Sequence, residues 1–181
     1  HSVKELRSIG IQPDILVCRA ERDVPTEIKE KVALFCNVPK GNVFEAQDVN
    51  SIYEMPLVLH RQGLDQKIVD HLNIWTRQPD LSEWGLIVER LLSPSSKVKI
   101  AIVGKYTGVI DSYKSVEEAL IHGGIKNNLG IDVSYVDSES LTEKNISEEL
   151  SKYDGVLVPG GFGERGAEGK LLAIRYVREN N

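Results

Sequence analysis

Two short, largely apolar runs, Ile15-Leu16-Val17-Cys18 and Val98-Lys99-Ile100-Ala101-Ile102-Val103, each break off in a polar or glycine turn and lead toward an amphipathic stretch. Runs of this length and β-branched content read as buried strands, and the stretches after them read as helices. A helix returning the chain to the starting edge of its sheet makes consecutive strands parallel. The expected fold is therefore α/β, with two partial three-layer parallel-sheet units joined by a linker that carries an amphipathic helix.

In the first unit, Ser2 is placed to cap a helix over 3–9 that ends at Gly10. Thr26 is placed to cap a second helix, in which Ile28, Val32 and Phe35 recur at i, i+4 and i+7 and form the expected core face. A turn at Pro39-Lys40-Gly41-Asn42 precedes a strand at 43–46. A further helix follows from Ser51 to about Gln62, kinked or divided at Pro56. Residues 75–97 are turn-rich around an amphipathic helix at 81–92 that carries Trp84, Ile87, Val88, Leu91 and Leu92. The second unit opens with the strand ending at Gly104. A helix from Tyr113 to His122, capped by Asp111 or Ser112, should stop at Gly123-Gly124. Strands at 132–136 and 155–158, a helix near 146–152 and a last helix from about Glu168 complete the pattern. The boundaries expected are 1–74, 75–97 and 98–181. The chain opens on His1 inside a helix and stops at Asn181 just after another, as a section of something longer would.

Composition narrows the function. The chain has 181 residues, 41% hydrophobic and 27% charged, with a net charge of −5. No basic half or tail offers a footprint for a phosphate backbone, which argues against nucleic-acid binding. No apolar run approaches the ~18 residues of a membrane span, and the N-terminus has no apolar signal core, so a cytoplasmic chain without membrane partners is expected. Cys18 and Cys36 have no metal-ligand spacing and sit in apolar contexts, as reduced core thiols do. Neither lies in a Gly-x-Cys-x-Gly elbow. His1, His60, His71 and His122 form no metal or triad pattern, so no metal site is expected.

The strongest chemical signal is Pro159-Gly160-Gly161-Phe162-Gly163 at the end of a buried strand. In open α/β sheets ligands bind beyond the carboxyl ends of the strands. Two successive glycines let backbone N–H groups approach an anion, so the turn suits a phosphate cradle or an oxyanion hole; a purely structural turn is the competing reading. Its spacing fits neither GxGxxG nor the Walker loop. Lys31 and Phe35, four apart on a helix, could hold a nucleotide's phosphate and base, or be an exposed lysine beside a core phenylalanine. Arg19, Arg22 and Asp23, just past a strand, suit a ligand site or a solvated loop.

Taken together, the segments 1–15, Leu34-Phe35-Cys36-Asn37-Val38, Asp48-Val49-x-Ser51-Ile52-Tyr53, Val103-Gly104-Lys105-Tyr106 and Val156 to Gly166 resemble the CTP synthase family. The resemblance implies the end of an amidoligase domain, a linker, and the start of a class I glutamine amidotransferase domain. It implies ATP-dependent amination of UTP to CTP with ammonia from glutamine, a Mg2+ requirement, activation by GTP, feedback by CTP and a homotetramer. By position it makes Lys31 a UTP/CTP-binding lysine with Phe35 beside it. It puts Arg19, Asp48 and Val49 near the adenine of ATP, with Gln47 next to them. Gly160 and Gly161 fall on glycines that bind glutamine and supply an oxyanion-hole amide. Arg165, Gly166 and Glu168 fall on a lid linked to GTP, with Lys114 in the same region.

The phosphate loop, the Mg2+ carboxylates and the Lys-rich UTP segment would precede His1. The nucleophilic cysteine and its partners would follow Asn181, so this piece alone is expected to be inactive. Two other readings remain open at this stage: another glutamine-dependent ligase, which leaves residues 1–60 unexplained, and a noncatalytic nucleotide-binding or assembly module.

Overall fold

The computed structural model describes residues 1–105, 110–161 and 163–180, with the backbone alone at Ile110 and Asp111. Tyr106, Phe162 and the side chain of the candidate cap Asp111 lie outside the described residues. The chain divides into two units, His1–Val88 and Glu89–Asn181.

In the first unit α1 (Ser2–Ser8) has His1 rather than Ser2 at its N-cap, and Gly10 takes the left-handed conformation (φ 85°) that ends it. β1 (Leu16–Ala20) pairs in parallel with β2 (Val43–Gln47), Leu16 opposite Val43 and Ala20 opposite Gln47. Between them runs α2 (Thr26–Cys36), whose N-cap is Pro25. Thr26 is displaced from the cap because the extended Pro25 presents its carbonyl to the Ile28 and Lys29 amides.

The sequence places Ile28, Val32 and Phe35 in the core; the structure leaves Val32 half-buried and puts Ile28 and Phe35 outside the core. Phe35 is 81% exposed and Ile28 44%, whereas Ala33 is 1% exposed. The packed stripe is rotated by about one residue, because small Ala33 permits close approach to the sheet. Lys29 lies one turn earlier on that stripe, its ammonium 3.2 Å from Glu45 Oε2. Cys18 and Cys36 are half-buried and free, so they are not core thiols either.

β2 leads into a 3-10 turn at Ile52–Glu54 and then α3 (Met55–Arg61), with Pro56 in the first turn of the α-helix, where its missing N–H has no intrahelical partner to lose. The divided reading of this segment is the one observed. Sequence reasoning passed over α4 (Leu64–His71), a helix entered through the left-handed Gly63. The amphipathic α5 (Ser82–Leu92) is where it was expected. Its Trp84 Nε1 donates to the Tyr53 carbonyl at 2.8 Å.

The second unit is a three-stranded parallel sheet in the order β4-β3-β5, formed by β3 (Ser96–Gly104), β4 (Leu129–Asp137) and β5 (Gly155–Leu157). α6 (Lys114–Asn127) covers one face, and α7 (Ile146–Leu150) and α8 (Ala167–Glu179) cover the other. Ala101 and Val103 pack with Val136, Leu141, Ile146, Leu150 and Ala173 on the α7–α8 side.

α6 does not stop at Gly123-Gly124, as the glycine pair predicts. It runs on to Asn127 and ends at Asn128 in the left-handed region (φ 57°). Gly124 serves packing: a Cβ there would lie 2.5 Å from the Leu129 carbonyl oxygen.

Candidate functional site

Each sheet places a candidate site beyond the carboxyl ends of its strands, where side chains and loop amides converge without disturbing the ladder. In the first unit Arg19, Ala46, Gln47, Asp48, Val49, Ile52 and Met55 line a cleft of about 550 Å³. The register explains the grouping. Arg19 lies opposite Ala46, and the Asp48 amide donates to the Ala20 carbonyl at 3.0 Å, continuing the ladder one step past β2. Arg19 Nε then reaches Asp48 Oδ1 at 3.1 Å across the strand ends. That pair is largely solvated, so its bearing on stability is small, and its charges are accessible to a ligand.

Two devices hold this cleft. Ser51 and Glu54 form a capping box, with the Ser51 amide donating to Glu54 Oε1 at 2.9 Å and the Tyr53 amide donating to Ser51 Oγ at 3.3 Å. The free edge of β2 is met by one side chain. Gln62 Oε1 accepts from the Glu45 amide at 3.0 Å, and Gln62 Nε2 donates to the Glu45 carbonyl at 2.8 Å, as a neighbouring strand would. The Glu45 carboxylate accepts from the Val24 amide at 2.8 Å and from Lys29. The Val24 hydrogen bond, with the Lys29 charge beside it, holds its carboxyl below the usual carboxylate range.

The structure brings Arg19, Gln47, Asp48 and Val49 together on one cleft and leaves Lys31 and Phe35 off its lining. Those two stand exposed on α2, and exposed Leu34 extends the apolar surface beside them.

In the second unit the chain leaves β3 toward α6 on one face and leaves β5 toward α8 on the other, which makes the crevice between their ends the switch point of the sheet. Pro159-Gly160-Gly161 enters this crevice from β5, and Lys105 enters it from β3. Lys105 is 8% exposed, a buried cation to which the sequence alone assigns no role. Its amide donates to Tyr113 Oη at 3.2 Å, and Tyr113 stacks on Tyr135 with ring centres 6.1 Å apart.

The turn divides its labour between glycines. Gly163 and Gly166 take the left-handed conformation (φ 80° and 72°), while Gly160 and Gly161 do not. A Cβ on Gly160 would meet no atom of the described residues within 4 Å, so the space beside it is open; one on Gly161 would lie 3.1 Å from Lys170 Nζ and 3.6 Å from Lys105 Cε. Lys170 Nζ donates to the Pro159 carbonyl at 3.0 Å.

Arg165 forms a bidentate pair with Glu139 at 2.6 and 3.0 Å. The guanidinium holds the Glu139 carboxyl below its usual range, with a lesser contribution from the Lys105 charge. Gly166 is the N-cap of α8 and Glu168 lies in its first turn. Lys114 pairs with Glu118 at 3.0 Å at the start of α6. Burial pushes the Cys18 thiol up, away from the reactive thiolate. Among the described residues no three His, Cys, Asp or Glu side chains converge as a metal site. No described helix is long and apolar enough to cross a membrane.

Two family patterns match the chain: "CTP synthase N-terminus" over residues 1–74 and "Glutamine amidotransferase class-I" over 108–181. The CTP synthase of Syntrophus aciditrophicus is 58% identical over 180 residues, which is 99% of this chain and 34% of that protein. That of Lawsonia intracellularis is 54% identical over 181 residues, 100% of this chain and 33% of the relative. A solved Trypanosoma brucei CTPS glutaminase domain with bound acivicin is 42% identical, covers 46% of this chain and 33% of that one, and superimposes with a TM-score of 0.41. The chain spans about a third of the length of the curated relatives it matches. With one pattern over each end of the chain and more than half of its residues identical to these relatives along its length, the chain is homologous to CTP synthases.

Proposed function

We propose that this chain is the central section of a ligase that makes CTP from UTP, ATP and ammonia, the ammonia coming from glutamine hydrolysed at a second site. On this reading 1–74 closes the synthetase domain, 75–97 is the linker and 98–181 opens the glutaminase domain. The observation that carries it is the identity to CTP synthases over nearly the whole chain, 58% over 180 residues in the Syntrophus aciditrophicus relative.

The first cleft takes the adenine end of ATP. Asp48 accepts from an exocyclic amino group, Arg19 covers the ring, and Gln47 and Val49 line the sides. Lys31 meets UTP or CTP phosphate, and Phe35 offers its exposed ring to the base or to an adjoining subunit of a homotetramer. The residues described do not fit a Mg2+ site, so no step is derived through the metal in this segment. In the second unit the glycine turn supplies an amide to the oxyanion that forms when the glutamine amide is attacked, a donor worth about 3 kcal/mol. Arg165, held by Glu139, forms with Gly166 and Glu168 the lid through which GTP acts, with Lys114 beyond it. The protein works in the cytoplasm. Alone, the 181-residue chain is inactive.

The full-length protein carrying this segment should convert UTP to CTP with ATP and either glutamine or ammonia. Lys31→Ala should raise the UTP concentration for half-maximal rate about tenfold. Failure to make CTP from either nitrogen source would refute the assignment, and an unchanged UTP requirement would remove Lys31 from it.

A further inference from the structure

We propose that Lys170 is a positioning residue for glutamine hydrolysis, aiming the Gly160 amide at the reacting carbonyl by holding the other end of the same peptide unit. The inference rests on the glycine turn being the oxyanion site. A trans peptide is planar, so its C=O and N–H point in opposite directions. The carbonyl of the Pro159–Gly160 peptide accepts from Lys170 Nζ at 3.0 Å, on the side of the turn where α8 lies. The Gly160 N–H of that peptide therefore points away from α8. Beside Gly160 a Cβ would find no atom of the described residues within 4 Å, which leaves room for a substrate carbonyl.

Without the lysine, rotation of the peptide about the Pro159 ψ and Gly160 φ bonds would turn the N–H out of line, because Gly160 has no Cβ to resist the change in φ. Lys105 limits the movement from behind. Its buried side chain passes 3.6 Å from the Cβ position of Gly161, and its Nζ lies 3.9 Å from that of Gly163. Two ammonium groups thus flank a turn whose substrate develops negative charge during reaction. Lys170 is one residue past Gly169, where α8 presses its backbone onto Ser138 so closely that a Cβ would overlap the Ser138 carbonyl. This contact fixes the point from which the lysine reaches the turn.

The test compares Lys170→Met, which keeps the length and loses the donor, with Lys170→Arg and Lys170→Gln, which keep a donor, in the full-length protein. Glutamine hydrolysis is normalised to ammonia-dependent CTP formation by the same preparation. K170M should lower kcat for glutamine 10- to 100-fold with KM changed less than about threefold, and K170R should recover most of the loss. An unchanged normalised kcat in K170M, or equal loss in K170M, K170R and K170Q, would overturn the proposal. Gly160→Pro, which deletes the amide hydrogen, separates the two levels. If it abolishes hydrolysis while K170M does not, only the lysine's role falls; if it leaves hydrolysis intact, the oxyanion reading falls as well.

Discussion

Gly123 and Gly124 are neighbours in α6, yet alanine at each should act in opposite directions. A Cβ on Gly123 meets no atom within 4 Å, so Gly123→Ala brings only the helix-propensity gain of about 0.8–1 kcal/mol. A Cβ on Gly124 would lie 2.5 Å from the Leu129 carbonyl oxygen and 2.7 Å from Ile131 Cγ1, against the 3.4 Å at which ordinary contact begins. Relief needs α6 and β4 to part by nearly an ångström. Because one opposing atom is main chain, no rotamer change provides it. Overpacking of this kind costs about 1–3 kcal/mol, and the upper end applies here. After the propensity gain, Gly124→Ala should destabilise by about 1–2 kcal/mol, leaving the two variants about 2–3 kcal/mol apart.

Both tryptophans, Trp75 and Trp84, belong to the first unit, so fluorescence does not report this difference. Native-state hydrogen exchange at Ile102 and Val103, both fully buried in β3, does. Exchange through global opening of the unit should slow about fivefold in Gly123→Ala and quicken about tenfold in Gly124→Ala, since 1.4 kcal/mol is a factor of ten. Protection in Gly124→Ala equal to or above wild type would refute the packing argument and show that the α6–β4 contact yields freely.

Three further expectations follow from the first unit. Gln62→Leu leaves the Glu45 amide and carbonyl without their side-chain partner and should destabilise the unit by about 2 kcal/mol, read from Trp84 fluorescence in urea; a shift under about 0.5 kcal/mol would mean water replaces the amide at no penalty. Asp48→Asn should raise the ATP concentration for half-maximal CTP formation several-fold while glutamine hydrolysis measured without nucleotide stays level, and a parallel fall in both would point to folding instead. The Glu45 carboxyl is held low by the Val24 amide and Lys29, so its contribution is fully present above the ordinary carboxylate range and is lost as pH falls from about 4 through its depressed folded value. Gln in place of Glu45 should flatten the acid limb of the unit's stability-against-pH curve. An acid limb as steep as wild type would contradict that role.

Much of this architecture is local in origin. The runs at 15–18 and 98–103, and Gly10 at its helix end, are legible from residue type because they depend on neighbours a few positions away. The misplaced features are those settled by partners distant in sequence. Periodicity assigns Phe35 to the core on the premise that every apolar stripe is covered, but in this unit the covered stripe is the one with Ala33 and Lys29. Gly123-Gly124 reads as a helix stop because glycine is a local breaker, whereas Gly124 is needed by the approach of β4.

The candidate sites divide in the same way. The glycine turn and Arg19 stand out in the sequence because each follows directly on a strand end, and Asp48 is named by the family resemblance. Lys105, Lys170 and Gln62 do not: Lys170 and Gln62 bond backbone groups of another segment and Lys105 packs beside the glycine turn, contacts that no spacing encodes. The resemblance to CTP synthases, the α/β alternation and the places where strands end follow from residues close together in the chain. The tertiary structure decided which helix faces are covered, which glycine is required for space, and which two lysines close on the turn, because those outcomes depend on distances between segments far apart in the chain.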